Sequence, residues 1–162
     1  MLNKKQISLI VNLNVYFFCV IIFSVIYMLK VVGTLFIENN KLLLDKPRKR
    51  PTLQMIGGKV EEGETVIHAA IREAHEELGA KAIFDESKFE LVMDFVETAT
   101  SDPKLKIHFH LFKYAGKLKG ELTTSEEIES FTWYDTSLKD AVLSHVLNNK
   151  VIPYCLENKL IK

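Results

Sequence analysis

The sequence predicts a mixed α/β fold in which a sheet lies between helices. Apolar residues alternate with polar ones in 31–44 and 88–114, as in half-buried strands, and recur every three or four residues in 65–79, as in an amphipathic helix. The order strands, helix, strands, helix is typical of a mixed sheet covered by helices. With 162 residues, the chain is long enough for one domain with one substantial core.

Three short strands are expected before the central helix. Residues 31–37 and 41–44 are apolar runs, and the link 38–40 is rich in turn-forming residues. Two prolines and four cations make 45–51 a loop rather than a regular element. Residues 52–56 then form the third strand.

The central helix has a start signal and a stop signal. Thr65 suits the N-cap position, and Gly79 follows the last periodic residue. Between them an apolar stripe predicts the face that packs on the sheet. Its residues are Val66, Ala70, Ala74 and Leu78, with Ile67 and Ile71 at the edge.

Further strands and two helices are expected in the second half of the chain. Residues 88–97 and 105–114 alternate as strands do, while the polar segment 117–130 predicts a loop or an edge. A short strand at 131–134 precedes a last helix at about 152–160 and, before it, a helix that is capped by 135–137. This earlier helix runs to about residue 147, with an inward face of Leu138, Ala141, Val142, His145 and Val146.

His108 and His110 project from the same face of the strand at 105–114. Such a pair can bind a metal ion, or it can be two polar residues on one sheet face. Because no third ligand is evident in the sequence, the second interpretation is favoured.

Composition narrows the class of protein. The formal net charge is zero and the sequence pI is about 7, so no overall basic field indicates a nucleic-acid partner. Cys19 and Cys155 have neither CxxC nor metal-ligand spacing and lie among apolar residues. We expect buried, inert thiols in a reducing compartment, which agrees with a cytoplasmic location.

Residues 1–28 form an apolar N-terminal segment ahead of a domain at 29–162. Residues 7–29 carry no charged side chain, and this length is enough to cross a bilayer. Lys4 and Lys5 precede the run, as at an N-terminus kept in the cytoplasm. A membrane anchor is therefore one interpretation.

Two other interpretations of this segment stay open. The run leads directly into the first strand, which would press the domain against the lipid, and Met28 begins a normal start for such a domain. The segment is then a mis-assigned start or a helix packed on the domain. A cleaved signal is weakly indicated, because no small-x-small site follows the run.

Three carboxylates, Glu73, Glu76 and Glu77, lie on consecutive turns of the central helix within an arc of about 100°. Like charges this close repel each other, so either Arg72 or a bound metal ion is expected among them. Hard divalent cations such as Mg²⁺ prefer several oxygen ligands, often a few carboxylates together with substrate phosphates. A solvated acidic helix face is the simpler alternative.

The residues around these carboxylates follow a longer pattern, G-x₅-E-x₇-R-E-small-x-E-E-apolar-G-apolar. Every specified position is occupied, by Gly58, Glu64, Arg72, Glu73, Ala74, Glu76, Glu77, Leu78, Gly79 and Ala80. The stretch resembles the Nudix box of the Nudix hydrolase family, and the chain resembles its MutT-like members. The resemblance implies an α/β/α sandwich over about residues 30–160, and Mg²⁺- or Mn²⁺-dependent hydrolysis of a nucleoside diphosphate linked to another group.

The resemblance also implies roles for individual residues. Glu73, Glu76, Glu77 and the Gly58 carbonyl are the implied metal ligands. Arg72 would orient the carboxylates, while Glu64, Gly57 and Gly79 would shape the turns around the helix. For the general base two candidates stay open: a box glutamate, chiefly Glu76, and Glu127, which lies six residues before Trp133 as a loop glutamate does in MutT-type enzymes.

The substrate is less well indicated. Asn148 lies fifteen residues after Trp133, where MutT-type enzymes place an asparagine that reads the purine, but it also suits a helix end. Arg48 and Arg50 could hold a polyphosphate or form a solvated basic turn. Ile56 stands where many MutT-type boxes have proline, which weakens the assignment to 8-oxo-dGTP.

The expected reaction is cleavage of a small-molecule nucleotide, 8-oxo-dGTP or a related purine dNTP, to nucleoside monophosphate and pyrophosphate. The alternatives are ADP-ribose, a dinucleoside polyphosphate or capped RNA. A binding module without catalysis would require damaged carboxylates, and all three are intact. The sequence does not indicate an oligomeric state.

Overall fold

The structure, a computed structural model, describes residues 28–99, 102 and 104–162. Within these ranges the chain forms two α-helices and nine strands. The helices are α1 (Val66–Leu78) and α2 (Ile152–Glu157), with a 3₁₀ turn at Glu86–Lys88 and a π-helical turn at Leu147–Val151. The strands are β1 (Met28–Leu35), β2 (Ile37–Glu38), β3 (Lys41–Pro47), β4 (Gln54–Met55), β5 (Ala82–Ile83), β6 (Phe89–Thr98), β7 (Lys106–Tyr114), β8 (Lys119–Gly120) and β9 (Ile128–Tyr134).

The longer strands form two groups that meet at β1. In the first group β7 lies between β1, which it pairs in parallel, and β6, which it pairs antiparallel. In the second group β3 pairs antiparallel with β2, β4 and β9. The Thr34 N–H donates to the Ile56 carbonyl at 2.8 Å and so connects β1 with the residue after β4. The predicted mixed sheet is therefore confirmed.

Helical segments cover both faces of this arrangement. Because side chains alternate along a strand, Leu43 of β3 packs into a core with α1, whereas Leu42 and Leu44 pack into a second core. The α1 side contributes Ala69, Ala70, Ala74 and Leu78, and the C-terminal side contributes Leu147, Val151, Ile152 and Cys155. This is the predicted α/β/α sandwich.

Helix α1 has the predicted ends. The Thr65 hydroxyl accepts from the His68 N–H at 3.3 Å, and Gly79 ends the helix with a φ of 86°, a conformation that favours glycine. Ala70, Ala74 and Leu78 of the predicted stripe are buried. The glutamates lie beside this buried stripe, so the helix presents them at the side of the sheet.

The prediction of a helix from about 138 to 147 is wrong. Residues 135–144 form consecutive turns, and helical backbone begins only at His145. Leu138 and Val142, predicted to face inward, are 41% and 59% exposed. The physical reason is a competing pairing, because the Leu53 N–H donates to the Val142 carbonyl at 2.8 Å and the Leu53 carbonyl accepts from the Ser144 N–H at 3.1 Å.

The segment 117–130, predicted to be a loop or an edge, contains β8 and the start of β9. One smaller difference concerns the last helix, which ends at Glu157 rather than near residue 160. The ends of elements are where a sequence pattern is least informative.

The predicted anchor at 7–29 and Cys19 lie almost wholly outside the described residues. Within the part of the chain that the structure describes, no helix is long and apolar enough to span a membrane. The last two residues of the predicted anchor, Met28 and Leu29, belong to β1.

Candidate active site

Two glycines bring the loop after β4 against both β1 and α1. The Gly58 carbonyl accepts from the Val32 N–H at 2.9 Å. Gly57 has a φ of 145°, and a Cβ there would collide with the Val32 carbonyl oxygen. At Gly58 a Cβ would overlap the Glu73 carboxylate. The absence of side chains at both positions is therefore what allows the glutamates of α1 to reach the loop backbone.

Glu77 is held inside this contact. Its Oε2 accepts from the Gly57 N–H at 2.7 Å. Burial raises the pKa of Glu77 to about 9, and the neighbouring charges of Asp45 and Glu73 add to the rise. Without a bound cation this carboxyl is neutral at pH 7.

Arg72 gathers the other acidic side chains of the loop and helix. Its guanidinium donates to Glu64 at 3.0 and 3.1 Å, to Glu73 and Glu76 at 3.0 Å each, and to the Lys59 carbonyl at 3.0 Å. These charge-assisted bonds lower the pKa of Glu64 and raise that of Arg72 itself. For Glu73 burial outweighs Arg72, so the pKa of this carboxyl is raised.

Glu76 differs from its two neighbours. Its side chain is 58% exposed, and it reaches Arg72 across one turn of the helix. Glu73 and Glu77 line the large cavity described below, whereas Glu76 does not. Glu76 therefore lies at the rim of the acidic cluster in this structure.

Asp45 is a fourth carboxylate that sequence reasoning missed. The sequence placed it in a loop, but it belongs to β3 and is 1% exposed. Its Oδ1 is buried without a hydrogen-bond partner, and burial raises its pKa to about 6. The signal was the strand period, because Asp45 follows Leu43 by two residues and so points to the α1 face.

This donor set fits a hard divalent cation. Asp45, Glu73 and Glu77 supply carboxylate oxygens that are wholly or partly removed from water, and one of these oxygens has no partner. Carboxylates in such surroundings are stable as ions only with a nearby positive charge. Mg²⁺ and Mn²⁺ prefer oxygen ligands, so either ion suits this cluster.

A cavity of about 940 Å³ opens beside the cluster. Its lining combines carboxylates, a guanidinium and the glycine backbone with many apolar side chains. The volume lies at the upper end of the range for small-molecule sites, so a nucleotide fits within it. The polar lining includes Asp45, Arg50, Gly57, Gly58, Glu73, Glu77 and Glu127, and the apolar lining includes Val31, Met55, Leu105, Ile107, Phe109 and Leu147.

The predicted substrate residues fall in different places. Arg50 and Glu127 line the cavity. Arg48 does not, but its N–H donates to the Glu127 carbonyl at 2.9 Å and so ties two loops at the cavity mouth. Asn148 is exposed and does not line the cavity.

Ser144 and His145 line the cavity about one turn before Asn148. Sequence reasoning placed both within a helix that starts near residue 138, whereas helical backbone begins only at His145. No local signal marks them, since their position depends on the pairing of residues 142–144 with Leu53.

Residues 28–149 match the model of the NUDIX domain family. The chain therefore belongs to the Nudix family, and it is a Nudix hydrolase. No curated protein matches it in sequence.

Several solved structures share the fold. A MutT NUDIX hydrolase from Burkholderia pseudomallei is 21% identical, with a TM-score of 0.60 over 75% of this chain and 93% of that one. The MutT protein from Methanosarcina mazei Go1 is 20% identical, with a TM-score of 0.64 over 82% and 96%. An ADP-ribose pyrophosphatase from Streptococcus suis is 18% identical, with a TM-score of 0.56 over 81% and 91%. At these identities the likeness concerns the fold alone.

Proposed function

We propose that this Nudix hydrolase cleaves a purine nucleoside triphosphate, 8-oxo-dGTP or a related dNTP, to the monophosphate and pyrophosphate. The observation that carries the proposal is one cavity lined by both acidic and apolar side chains. The carboxylates suit a metal-bound polyphosphate, and the apolar side chains suit a flat base. Both sets line the same space, so a single nucleotide can contact both.

The chain's own residues have separable tasks in this reaction. Glu73, Glu76, Glu77 and the Gly58 carbonyl are the proposed ligands of Mg²⁺ or Mn²⁺, with Asp45 as a fourth carboxylate close to Glu77. A divalent ion bound there would neutralise phosphate charge and lower the pKa of an attacking water. Arg72 holds Glu73 and Glu76 in position through its fork of N–H donors.

Two residues stay candidates for the general base. Glu127 lines the cavity, so it can reach a water beside the phosphates. The Glu76 carboxylate accepts from the Arg72 guanidinium, and it would have to leave that ion pair in part to accept a proton. Easier access to the cavity therefore favours Glu127.

Arg50 is the proposed phosphate contact. It lines the cavity, and its positive charge partly offsets the rise in the pKa of Asp45. Arg48 supports the same loop through its backbone bond to Glu127. Recognition of the purine by Asn148 has weaker support, because Asn148 does not line the cavity. Ser144 and His145 do line it, so they are better placed to contact a bound base.

A second candidate is hydrolysis of another nucleoside diphosphate derivative. Its support is that the similar structures include an ADP-ribose pyrophosphatase and a UDP-X diphosphatase. Because Asn148 does not line the cavity, the argument from an asparagine that recognises a purine also loses weight. ADP-ribose, a dinucleoside polyphosphate and capped RNA belong to this candidate.

The test is a substrate panel with Mg²⁺ and separate readouts for pyrophosphate and phosphate. The panel is 8-oxo-dGTP, dGTP, dATP, ADP-ribose and a dinucleoside tetraphosphate. We expect pyrophosphate release from 8-oxo-dGTP that falls by at least about 10²-fold in Glu76→Gln. Glu62→Gln, an exposed glutamate of the same loop, is the matched control and should keep full activity.

Other outcomes would change the conclusion. Activity restricted to ADP-ribose or the tetraphosphate would replace the triphosphate with the second candidate. Activity unaffected by Glu76→Gln would contradict the assigned metal site. The membrane anchor stays a prediction, and fractionation of the full chain beside one that starts at Met28 tests it.

A further inference from the structure

The structure supplies the third ligand that the sequence did not reveal beside His108 and His110. Asp94 lies on the neighbouring strand β6, directly opposite His110 in the antiparallel register. His108 Nε2 lies 2.7 Å from Asp94 Oδ1, and His110 Nδ1 lies 2.9 Å from Asp94 Oδ2. One ligand atom from each residue falls within 4.8 Å of the other two. This third side chain was not evident in the sequence because it belongs to another strand.

His110 is an unusual residue for a sheet interior. It is 7% exposed, and its Nε2 is buried without a hydrogen-bond partner. Its Nδ1 lies beside the Asp94 carboxylate. Buried polar atoms are rarely left without a partner, so a histidine at this place is better explained by a role than by packing.

We propose that Asp94, His108 and His110 bind a divalent transition-metal ion, with Zn²⁺ as the best fit. Two imidazoles and one carboxylate are a donor set for Zn²⁺ rather than for Mg²⁺. A tetrahedral ion with bonds of about 2.0 Å separates its ligand atoms by roughly 3.3 Å, so small side-chain rotations complete the site. Water takes the fourth position, because His108 and Asp94 are open to solvent at 26% and 47%.

The site is separate from the large cavity beside the acidic cluster. Asp94, His108 and His110 do not line that cavity, whereas Ile107 and Phe109, which do, point to the other face of β7. Lys30 of β1 lies opposite His108 and is a nearby positive charge that opposes a cation.

A bound ion would link the edge strand β6 to its neighbour β7. Both strands belong to the same three-stranded group, and β6 has no second partner within it. A ligand that binds the native chain alone raises its stability by mass action. We therefore expect Zn²⁺ to raise the Tm and to protect the β6 amides from exchange.

The experiment measures Zn²⁺ binding to the full chain by calorimetry in excess Mg²⁺, together with the Tm with and without Zn²⁺. The wild type should bind one Zn²⁺ and gain Tm. Asp94→Asn and His108→Gln, both at partly exposed positions, should weaken Zn²⁺ binding by at least about tenfold and lose the Tm gain. His75→Gln is the matched control, since His75 also faces a carboxylate, Glu86 at 3.3 Å, but no third metal-ligating side chain joins this pair among the described residues.

The titration is repeated in Glu73→Gln, so that zinc held by the acidic cluster is not counted. Retention of one Zn²⁺ and of the Tm gain in that variant supports the proposal. No zinc binding by the wild type would overturn it, and so would equal affinity in Asp94→Asn and His108→Gln. A Tm loss in these variants that is the same with and without Zn²⁺ would assign the three residues to a metal-free hydrogen-bonded cluster instead.

Discussion

Asp45, which is buried, and Glu77, which is partly buried, are two carboxyls close to each other. Neither forms an ion pair among the described residues; burial raises the pKa of both, and the charge of Asp45 adds to the rise at Glu77. Such an arrangement costs stability in the metal-free protein. A cation bound beside them would remove this cost.

The first prediction concerns pH. A carboxyl whose pKa is raised on folding keeps its proton in the native state after the unfolded chain has lost it. The free energy of unfolding of the metal-free protein should therefore fall as pH rises from about 4.5, the unfolded value, toward about 9 for Glu77. Asp45 adds to the fall between about 3.8 and about 6. Urea unfolding in the presence of a chelator measures this slope.

Glu77→Gln is the matched variant. The amide oxygen can still accept from the Gly57 N–H, but no proton is lost. The variant should be more stable than the wild type at pH about 8 without metal, by about 1–3 kcal/mol. It should also lose most of the stabilisation that Mg²⁺ gives. A variant with the same pH slope as the wild type would show that Glu77 is not the titrating group.

At the scale of elements, the loop between β4 and α1 is the part that positions the site. It contacts β1 through Gly58 and α1 through Gly57, so its conformation decides whether the glutamates reach the loop backbone. Gly57 and Gly63 both have positive φ, at 145° and 79°. The two glycines differ in the room for a side chain. A Cβ at Gly57 would collide with the Val32 backbone, whereas a Cβ at Gly63 would have no atom within 4 Å.

This difference gives a paired prediction. Gly57→Ala should lower the free energy of unfolding by about 2–4 kcal/mol, because strain and a backbone collision add. Gly63→Ala should cost only about 1–2 kcal/mol from the left-handed conformation. Denaturant midpoints of both variants test this, and equal midpoint shifts would contradict the close approach of the loop to β1.

The element boundaries show where sequence patterns succeed. Helix α1 was predicted with both of its caps because its signals are local: a threonine, a period of 3.6 residues and a glycine. The helix expected at 138–147 failed because Leu53, more than eighty residues away in the chain, pairs with 142–144. Distant backbone pairing outweighed a local helical pattern.

At the scale of the molecule, two cores on opposite faces of the sheet hold the fold together. Cys155 lies in the core on the C-terminal side and is fully buried. Burial raises the pKa of its thiol to about 12. The predicted burial is confirmed for Cys155, and the inertness of its thiol stays a prediction.

Cys155 therefore reports on global unfolding. In a Cys19→Ser background, a thiol reagent at neutral pH should modify Cys155 at least about 10²-fold more slowly than the urea-unfolded chain, because both access and ionisation are suppressed. The modification rate should rise with denaturant in parallel with the loss of circular dichroism. Rapid modification of the native protein would show that the C-terminal side opens without global unfolding.

The sequence alone determined the α/β/α class, the central helix with its caps and the pattern of glutamates that identifies the family. Each rests on residues within one or two turns of each other, where period and capping chemistry are decisive. The tertiary structure alone decided that Asp45 lies beside Glu77, that Asp94 lies beside His110 and that the C-terminal helical segment begins at His145. These depend on strand register and on pairing between distant segments, and no local pattern of side chains encodes them.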